Sequence, residues 1–370
     1  MLTVQPEDGD FFRITLGNIA GSVGNFGTII PLFFAVSLAT GMSLSLMLLS
    51  CGIWYIITGF VYKIPISVEP LKAVAAVAIA GGVTTGEIAA SGIITGTLFC
   101  LVGLSGKMQW LATRIPSSVV RGIQLALGLI LLRSAIMEFG IHDLSFFIFC
   151  LVILALFLLG KRLVHLPDLS ALVILCIGII ALLSTTGIPT AALPTLPIVS
   201  LPNYQEYVTA TWVLVIPQIP LTLANSILAT ALLSTELFHR RITPDKLSFT
   251  IGAMSLSTSI LGGFPMCHGA GGVAAHYRFG ARSGCAMIIG GIILICGSVF
   301  LTNPETLTAI PGGVFGALLF AVALELIGHG LKTEEPLVSM VMAFIAIPAG
   351  IAVAFIAGLL FAELSSYFRR

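Results

Sequence analysis

Only a few side chains in this sequence can hold a charge or move a proton inside its apolar stretches, and their placement is the first guide to chemistry. Glu69, Lys72, His268, Glu236, Glu325 and Arg121 fall within or at the edges of long hydrophobic runs. A charge buried in a bilayer is costly, so such residues mark a functional site or a compensating pair. Glu69 and Lys72 lie three apart in IPISVEPLKAVAAVA at 64–78. Lys72 either supplies positive charge to an anion or pairs with Glu69. His268 sits in GGFPMCHGAGGVAAH at 262–276. Its imidazole can donate to a ligand, carry a coupling proton, or bond a neighbouring carbonyl. Glu236 and Glu325 lie near the ends of their runs, where snorkelling to the interface accounts for them.

The backbone of these two stretches carries chemistry of its own. Gly262–Gly269 holds three glycines and Pro265, which disfavour helix, while the chain can wind from Ala270 onward. At 64–78 the β-branched Ile66 and Val68 with Pro65 favour extended chain, and Pro70 is placed to open a helix. Each stretch therefore reads as extended chain feeding a short half-helix. Irregular backbone at membrane depth is tolerated where it is buried in protein or lines a cavity. A helix N-terminus there presents free N–H groups and a positive dipole end to an anion. The expected cradle is the backbone N–H groups of Ala270–Gly272 and of Leu71–Ala73, with Gly269, Gly271 and Gly272 allowing close approach. Two dipole ends of ~+0.5 each supply only about one positive charge, so an anion carrying more than that needs a further cation.

Neutral donors complete the candidate set. IPQIPLTLANS at 216–226 contains Pro217 and Pro220, expected to break a helix and free carbonyls, with Gln218, Thr222 and Asn225 on one face. Such groups line a site or act as glue between membrane helices. GSVGNFGTIIP at 21–31 repeats Gly21, Gly24 and Gly27, a close-packing pattern; Asn25 and Thr28 on that face can also touch a ligand.

The elements that must position these residues follow from composition. Of 370 residues 57% are hydrophobic and 9% charged, with mean hydropathy +1.10 and net charge +1. Soluble proteins carry roughly 25% charged residues. This is an all-α integral membrane protein whose partner is the lipid bilayer; nothing suggests nucleic acid. The seven cysteines stand singly, without a metal-ligand or disulfide pattern, and no cofactor is expected.

Fourteen apolar segments are expected: 14–39, 41–62, 69–81, 88–106, 116–133, 143–159, 168–187, 207–233, 247–261, 269–280, 284–300, 311–328, 336–348 and 349–363. The third and tenth reach spanning length only with their extended lead-ins. The last two, broken at Pro348–Gly350, are short enough for a re-entrant pair. With the N-terminus cytoplasmic, all Lys and Arg fall in inside connections except Arg133, which is outside, and Lys72, which is within a segment. That is the positive-inside pattern. Seven plus seven makes the second half run opposite to the first, an inverted repeat. Pro65 and Pro265 are 200 residues apart, and Ile115-Pro116 and Ile310-Pro311 are offset by 195. The expected organisation is a cytoplasmic segment 1–13, a first repeat 14–187, an extracytoplasmic loop 188–206, a second repeat 207–363 and a cytoplasmic tail 364–370.

An enzyme is not indicated. Cys267-His268 places a thiol beside an imidazole, but sequence neighbours rarely align as nucleophile and base. Gly103-Leu104-Ser105-Gly106 carries little weight in a chain with 39 glycines. HExxH, GxSxG and P-loop patterns are absent.

CHGAGG followed by YRFGAR at 267–282, and PQIPLTLANS at 217–226, resemble the molybdate transporter family, a branch of the sulfate permease (SulP) superfamily. Gly-x-x-Gly-Thr-x-x-Pro of segment one and Pro70-Leu71-Lys72-Ala73 are similar too, and the likeness runs the whole length. One departure is Asn25, where the family pattern has Asp. The resemblance implies fourteen helices in an inverted repeat, divided into a core (segments 1–4 and 8–11) and a gate (5–7 and 12–14). It implies an anion held between half-helices three and ten and moved by the core sliding against the gate. Dimers are common in the superfamily. Many members carry a STAS domain; this chain ends seven residues past its last segment, and none is expected.

The expected function is thus proton-coupled import of molybdate through a multi-pass protein of the cytoplasmic membrane with both termini inside. The expected substrate residues are Asn25, Thr28, Glu69, Pro70, Leu71, Lys72, Gln218, Thr222, Asn225, His268, Gly269, Ala270, Gly271 and Gly272; the coupling candidates are Glu69, Lys72 and His268. Sulfate or another oxyanion on the same scaffold, a nucleobase permease and a passive anion channel are the alternatives.

Overall fold

The computed structural model describes residues 14–164, 169–195, 201–302, 306 and 308–368. The segment 1–13, the middle of the 188–206 loop, and the side chains of the 364–370 tail lie outside the described residues. The chain is nearly all helical, and helix ends fall close to the apolar boundaries. The first elements are α1 (Leu16–Ser22), α2 (Phe26–Thr40), α3 (Leu44–Tyr62), β1 (Glu69–Pro70), α4 (Lys72–Ala80) and α5 (Thr85–Ser105). The short α6 (Met108–Ala112) leads to α7 (Ser117–Ser134), a π-helical turn at Ala135–Gly140, α8 (Leu144–Val164) and α9 (Ser170–Thr186). The second half runs through α10 (Tyr204–Ala210), α11 (Ile216–Leu221), α12 (Thr230–Phe238), α13 (Pro244–Ile260), β2 (Met266–Cys267), α14 (Ala270–Arg278) and α15 (Cys285–Phe300). It closes with α16 (Gly312–Gly330), α17 (Pro336–Ala349) and α18 (Ile351–Phe368). Among the described residues six helical stretches are long and apolar enough to cross a membrane, and five shorter apolar helices accompany them.

Three local expectations are revised. Segment one is divided: α1 ends at Ser22 and α2 begins at Phe26, with Asn25 at the N-cap of α2. Pro217 and Pro220 do not break segment eight. The helix from Tyr204 to Phe238 continues, widened into π turns at Thr211–Val215 and Thr222–Ala229 around α11. A π turn absorbs the proline's missing N–H and its clash with the preceding turn without unwinding the helix. Pro70 does not open α4; it lies in β1, and the helix starts two residues later at Lys72.

The helices pack in two groups. In the core, α5 packs on α13 and α3 on α15; in the gate, α7 packs on α16, α16 on α8, and α7 on α17. The pattern is reciprocal, with α17 against α18 answering α8 against α9. At the centre β1 and β2 pair antiparallel, Glu69 opposite Cys267 and Pro70 opposite Met266. The ladder is short because proline cannot donate to it. Hydroxyls of α13 hold the lead-in of α14: Ser255 Oγ donates to the Met266 carbonyl (2.6 Å) and Thr258 Oγ1 to that of Phe264 (3.0 Å).

Candidate functional site

The crossed strands point the starts of α4 and α14 at the middle of the molecule. The Leu71 N–H is taken by the Pro265 carbonyl (3.0 Å). Leu71, the N-cap of α4, has no side-chain acceptor of its own, and Gln218 supplies one from α11. Its Oε1 accepts from the Ala73 N–H (2.9 Å) and its Nε2 donates to Thr222 Oγ1 (2.9 Å). Gln218 and Thr222 are both fully buried. Two of the three N–H groups expected from Leu71–Ala73 are therefore engaged. At α14 the Gly269 N–H is held by Ser67 Oγ (3.1 Å), and the same hydroxyl donates to the Gly269 carbonyl (2.7 Å). Among the described residues nothing accepts from the N–H groups of Ala270, Gly271 and Gly272, which are the first turn of α14.

Glu69 occupies the space between the two half-helices. Its Oε1 accepts from Asn25 Nδ2 (3.0 Å), and its Oε2 lies 2.7 Å from the Lys72 ammonium. The carboxylate rests against Gly269 and Gly272, where a Cβ would collide with it. An Asp at position 25 would set a second carboxylate against the first; Asn25 instead donates to it. The Glu69–Lys72 pair is buried, and Lys72 also faces outward into a crevice.

That crevice is narrow, about 20 Å³, and is lined by Lys72, Asn225 and Gly271 with Leu221 from the core, and by Gln124, Glu325, Leu326 and His329 from the gate. Gly271 is the glycine of α14 that opens on it: a Cβ there would meet only Glu325 Oε1, at 3.2 Å.

His268 is fully buried and lies outside the crevice lining. Its Nδ1 is 2.8 Å from the Ser67 carbonyl and its Nε2 2.8 Å from Thr250 Oγ1. The carbonyl can only accept, so the proton sits on Nδ1 and Thr250 donates to Nε2. Tyr62 hydrogen-bonds the same threonine and presents its ring edge-on to the imidazole. Half-buried Thr28, in the first turn of α2, is also outside the lining.

Sequence reasoning missed Gln124 and His329, and it read Glu325 as snorkelling. Glu325 lies 3.9 Å from His329 and faces the crevice, while Arg121 donates to Gln124 Oε1 (3.0 Å) at its gate wall. The available signal was a Glu–His spacing of four on one apolar helix. Ser67, which stitches the two lead-ins together, gave none.

Two half-helices meeting at an antiparallel strand pair, with a crevice between two packed helix groups, define a fold class that solved anion transporters share. The chain has TM-score 0.71 to murine Slc26a9, an anion transporter in an inward-facing state, at 15% identity over 97% of this chain and 70% of that one. The transmembrane domain of the cyanobacterial bicarbonate transporter BicA gives 0.66, with 16% identity over 93% and 97%. Within that class the chain belongs to the molybdate transporter family, described as "Molybdate transporter of MFS superfamily", whose model matches residues 17–131 and 210–326. Molybdate transporter 1 of Arabidopsis thaliana is 30% identical over 406 residues, covering 94% of this chain and 87% of the relative.

Proposed function

We propose that this protein is a secondary active carrier that imports molybdate, as the tetrahedral dianion MoO4²⁻, coupled to protons. The observation that carries the proposal is the crevice where the Lys72 ammonium, the Asn225 amide and the uncovered first turn of α14 at Gly271 converge, in a chain of the molybdate transporter family. Converging N–H groups and a fixed cation are what an oxyanion requires. Inward movement of a dianion against an inside-negative potential costs roughly 4.6 kcal/mol per 100 mV, so coupled cations are needed.

The frame we assign is the fourteen-segment inverted repeat. Supporting it, α3 and α13 start 200 residues apart, as do α5 and α15, and α7 and α16 start 195 apart. The Lys and Arg distribution supports a cytoplasmic-membrane protein with both termini inside. In that orientation His329 of the crevice wall, which is within electrostatic reach of Arg121 and Lys332, puts the crevice on the cytoplasmic side, and the core slides against the gate to expose it on the other side.

The test is uptake of molybdate into proteoliposomes, with excess sulfate as competitor and an imposed pH gradient. Saturable uptake that resists sulfate and rises with outside acid is expected. Equal competition by sulfate would move the substrate to that smaller oxyanion, and non-saturating flux would make the protein a channel.

A further inference from the structure

Lys72 stands between two anionic positions. On one side is Glu69, buried to 1% exposure; on the other is the crevice. Glu69 Oε1 accepts from Asn25, while Oε2 is buried with the Lys72 ammonium as its one partner among the described residues. An oxyanion reaching the start of α14 must therefore compete with Glu69 for one cation. Charge arithmetic decides the outcome. Lys72 and two helix N-termini of ~+0.5 each together balance a dianion. An ionised Glu69 beside them leaves about one negative charge uncompensated at depth, which a bilayer strongly disfavours.

We propose that Glu69 takes up the coupling proton on Oε2 and that Lys72 then turns from Glu69 to the oxyanion. This rests on the oxyanion-carrier reading above. The proton comes from water on the side from which substrate enters and returns to water on the other side when the oxyanion leaves and the ion pair re-forms. Asn25 can hold Oε1 in both states, because Oε1 remains an acceptor.

The groups around Glu69 leave it the role. Asn25 faces it from α2, Tyr55 and Cys51 from α3, Lys72 from α4, Cys267 from β2, His268 from the turn beyond, and His276 from α14; Glu325 faces Lys72 from α16. Both imidazoles have both ring nitrogens occupied, His268 by Ser67 and Thr250 and His276 by the Gly21 carbonyl and Tyr55. Protonating His268 would reverse the Thr250 bond and leave the Glu69–Lys72 pair closed. Glu325 is exposed at the crevice mouth, where water already compensates its charge.

The experiment is calorimetric titration of the purified full chain with sodium molybdate in two cationic buffers of different ionisation enthalpy. The wild type should take up about one proton per dianion bound. Glu69→Gln should bind molybdate with no proton uptake and show exchange that no longer responds to a pH gradient. His268→Gln should still take up the proton. Molybdate binding by the wild type without proton uptake overturns the inference, as does a Glu69→Gln protein that still takes up a proton. The wild-type count decides the question even if the variant does not fold. If sulfate binds and molybdate does not, the substrate reading fails, and the proton count on sulfate decides this inference separately. Binding of neither anion overturns both.

Discussion

Adjacent glycines at the start of α14 have opposite surroundings, so one methyl group separates a packing position from a substrate position. A Cβ at Gly272 would collide with Glu69 Oε1 and lie 2.6 Å from both Asn25 Nδ2 and Ser67 Cβ. All three neighbours are buried, so Gly272→Ala overpacks the centre and costs about 1–3 kcal/mol or more. A Cβ at Gly271 meets only Glu325 Oε1 at 3.2 Å, the far end of a side chain that can move. Gly271→Ala should therefore fold normally, or gain ~0.5–1 kcal/mol from helix propensity. Its methyl would stand over the crevice and keep an oxyanion from the N–H groups beneath. Loss of one hydrogen bond to a charged ligand is worth about 1.5–3 kcal/mol, or roughly 10- to 150-fold in Kd. Thermal stability in detergent and molybdate affinity should be measured together on both variants. A Gly271→Ala protein as unstable as Gly272→Ala, or one that binds molybdate unchanged, would refute placement of the substrate at this helix start.

Gln218→Ala removes the acceptor for the Ala73 N–H and the partner of Thr222, all buried, and should cost about 1–3 kcal/mol of stability while lowering uptake. Normal thermal stability with reduced uptake would show that Gln218 acts on substrate and not as the cap of α4. His268→Ala removes the link from Ser67 to Thr250 and should lower thermal stability by a similar ~1–3 kcal/mol, leaving the pH profile of uptake intact. A flattened profile would transfer the coupling role to the imidazole.

The helices were legible because apolar runs, prolines and glycines mark their ends: α17 begins at Pro336, where its apolar segment was expected to start, while α13 begins at Pro244, a turn ahead of the apolar run expected from 247. The two half-helices were legible for the same reason. Segment eight was not, since Pro217 and Pro220 reveal a missing N–H but not how the turns around them widen to re-pair. The centre of the site was readable in type but not in partner. Glu69 and Lys72 were found from their cost at depth and Gln218 from its polarity. That Gln218 caps a helix 145 residues away in sequence is a tertiary fact. Gln124 and Glu325 lie on gate helices, and only packing of the two halves brings them opposite Lys72.

The distribution of polar contacts argues for how such a site could be moved. Within the core, hydrogen bonds join distant helices: Asn18 to Ser283, Ser45 to the Ser298 carbonyl, Trp54 to Ser257, Ser248 to the Phe99 carbonyl, and the Ser67–Gly269 stitch. Within the gate, Ser339 donates to the Ser118 carbonyl and the Gly313 N–H to Asp143. Where core meets gate, Phe34 stacks on Phe315 with ring centroids 4.7 Å apart, and Gly27 packs against Ala171. A hydrogen bond broken at membrane depth leaves groups that lipid cannot satisfy, whereas apolar surfaces can slide from one contact to the next at little cost. The stitched core can therefore shift as a unit along this seam. Lys72, Asn225 and Gly271 belong to that core and would travel with a bound oxyanion. Gln124, Glu325 and His329 belong to the gate and would remain behind, so displacement itself would exchange one wall of the site.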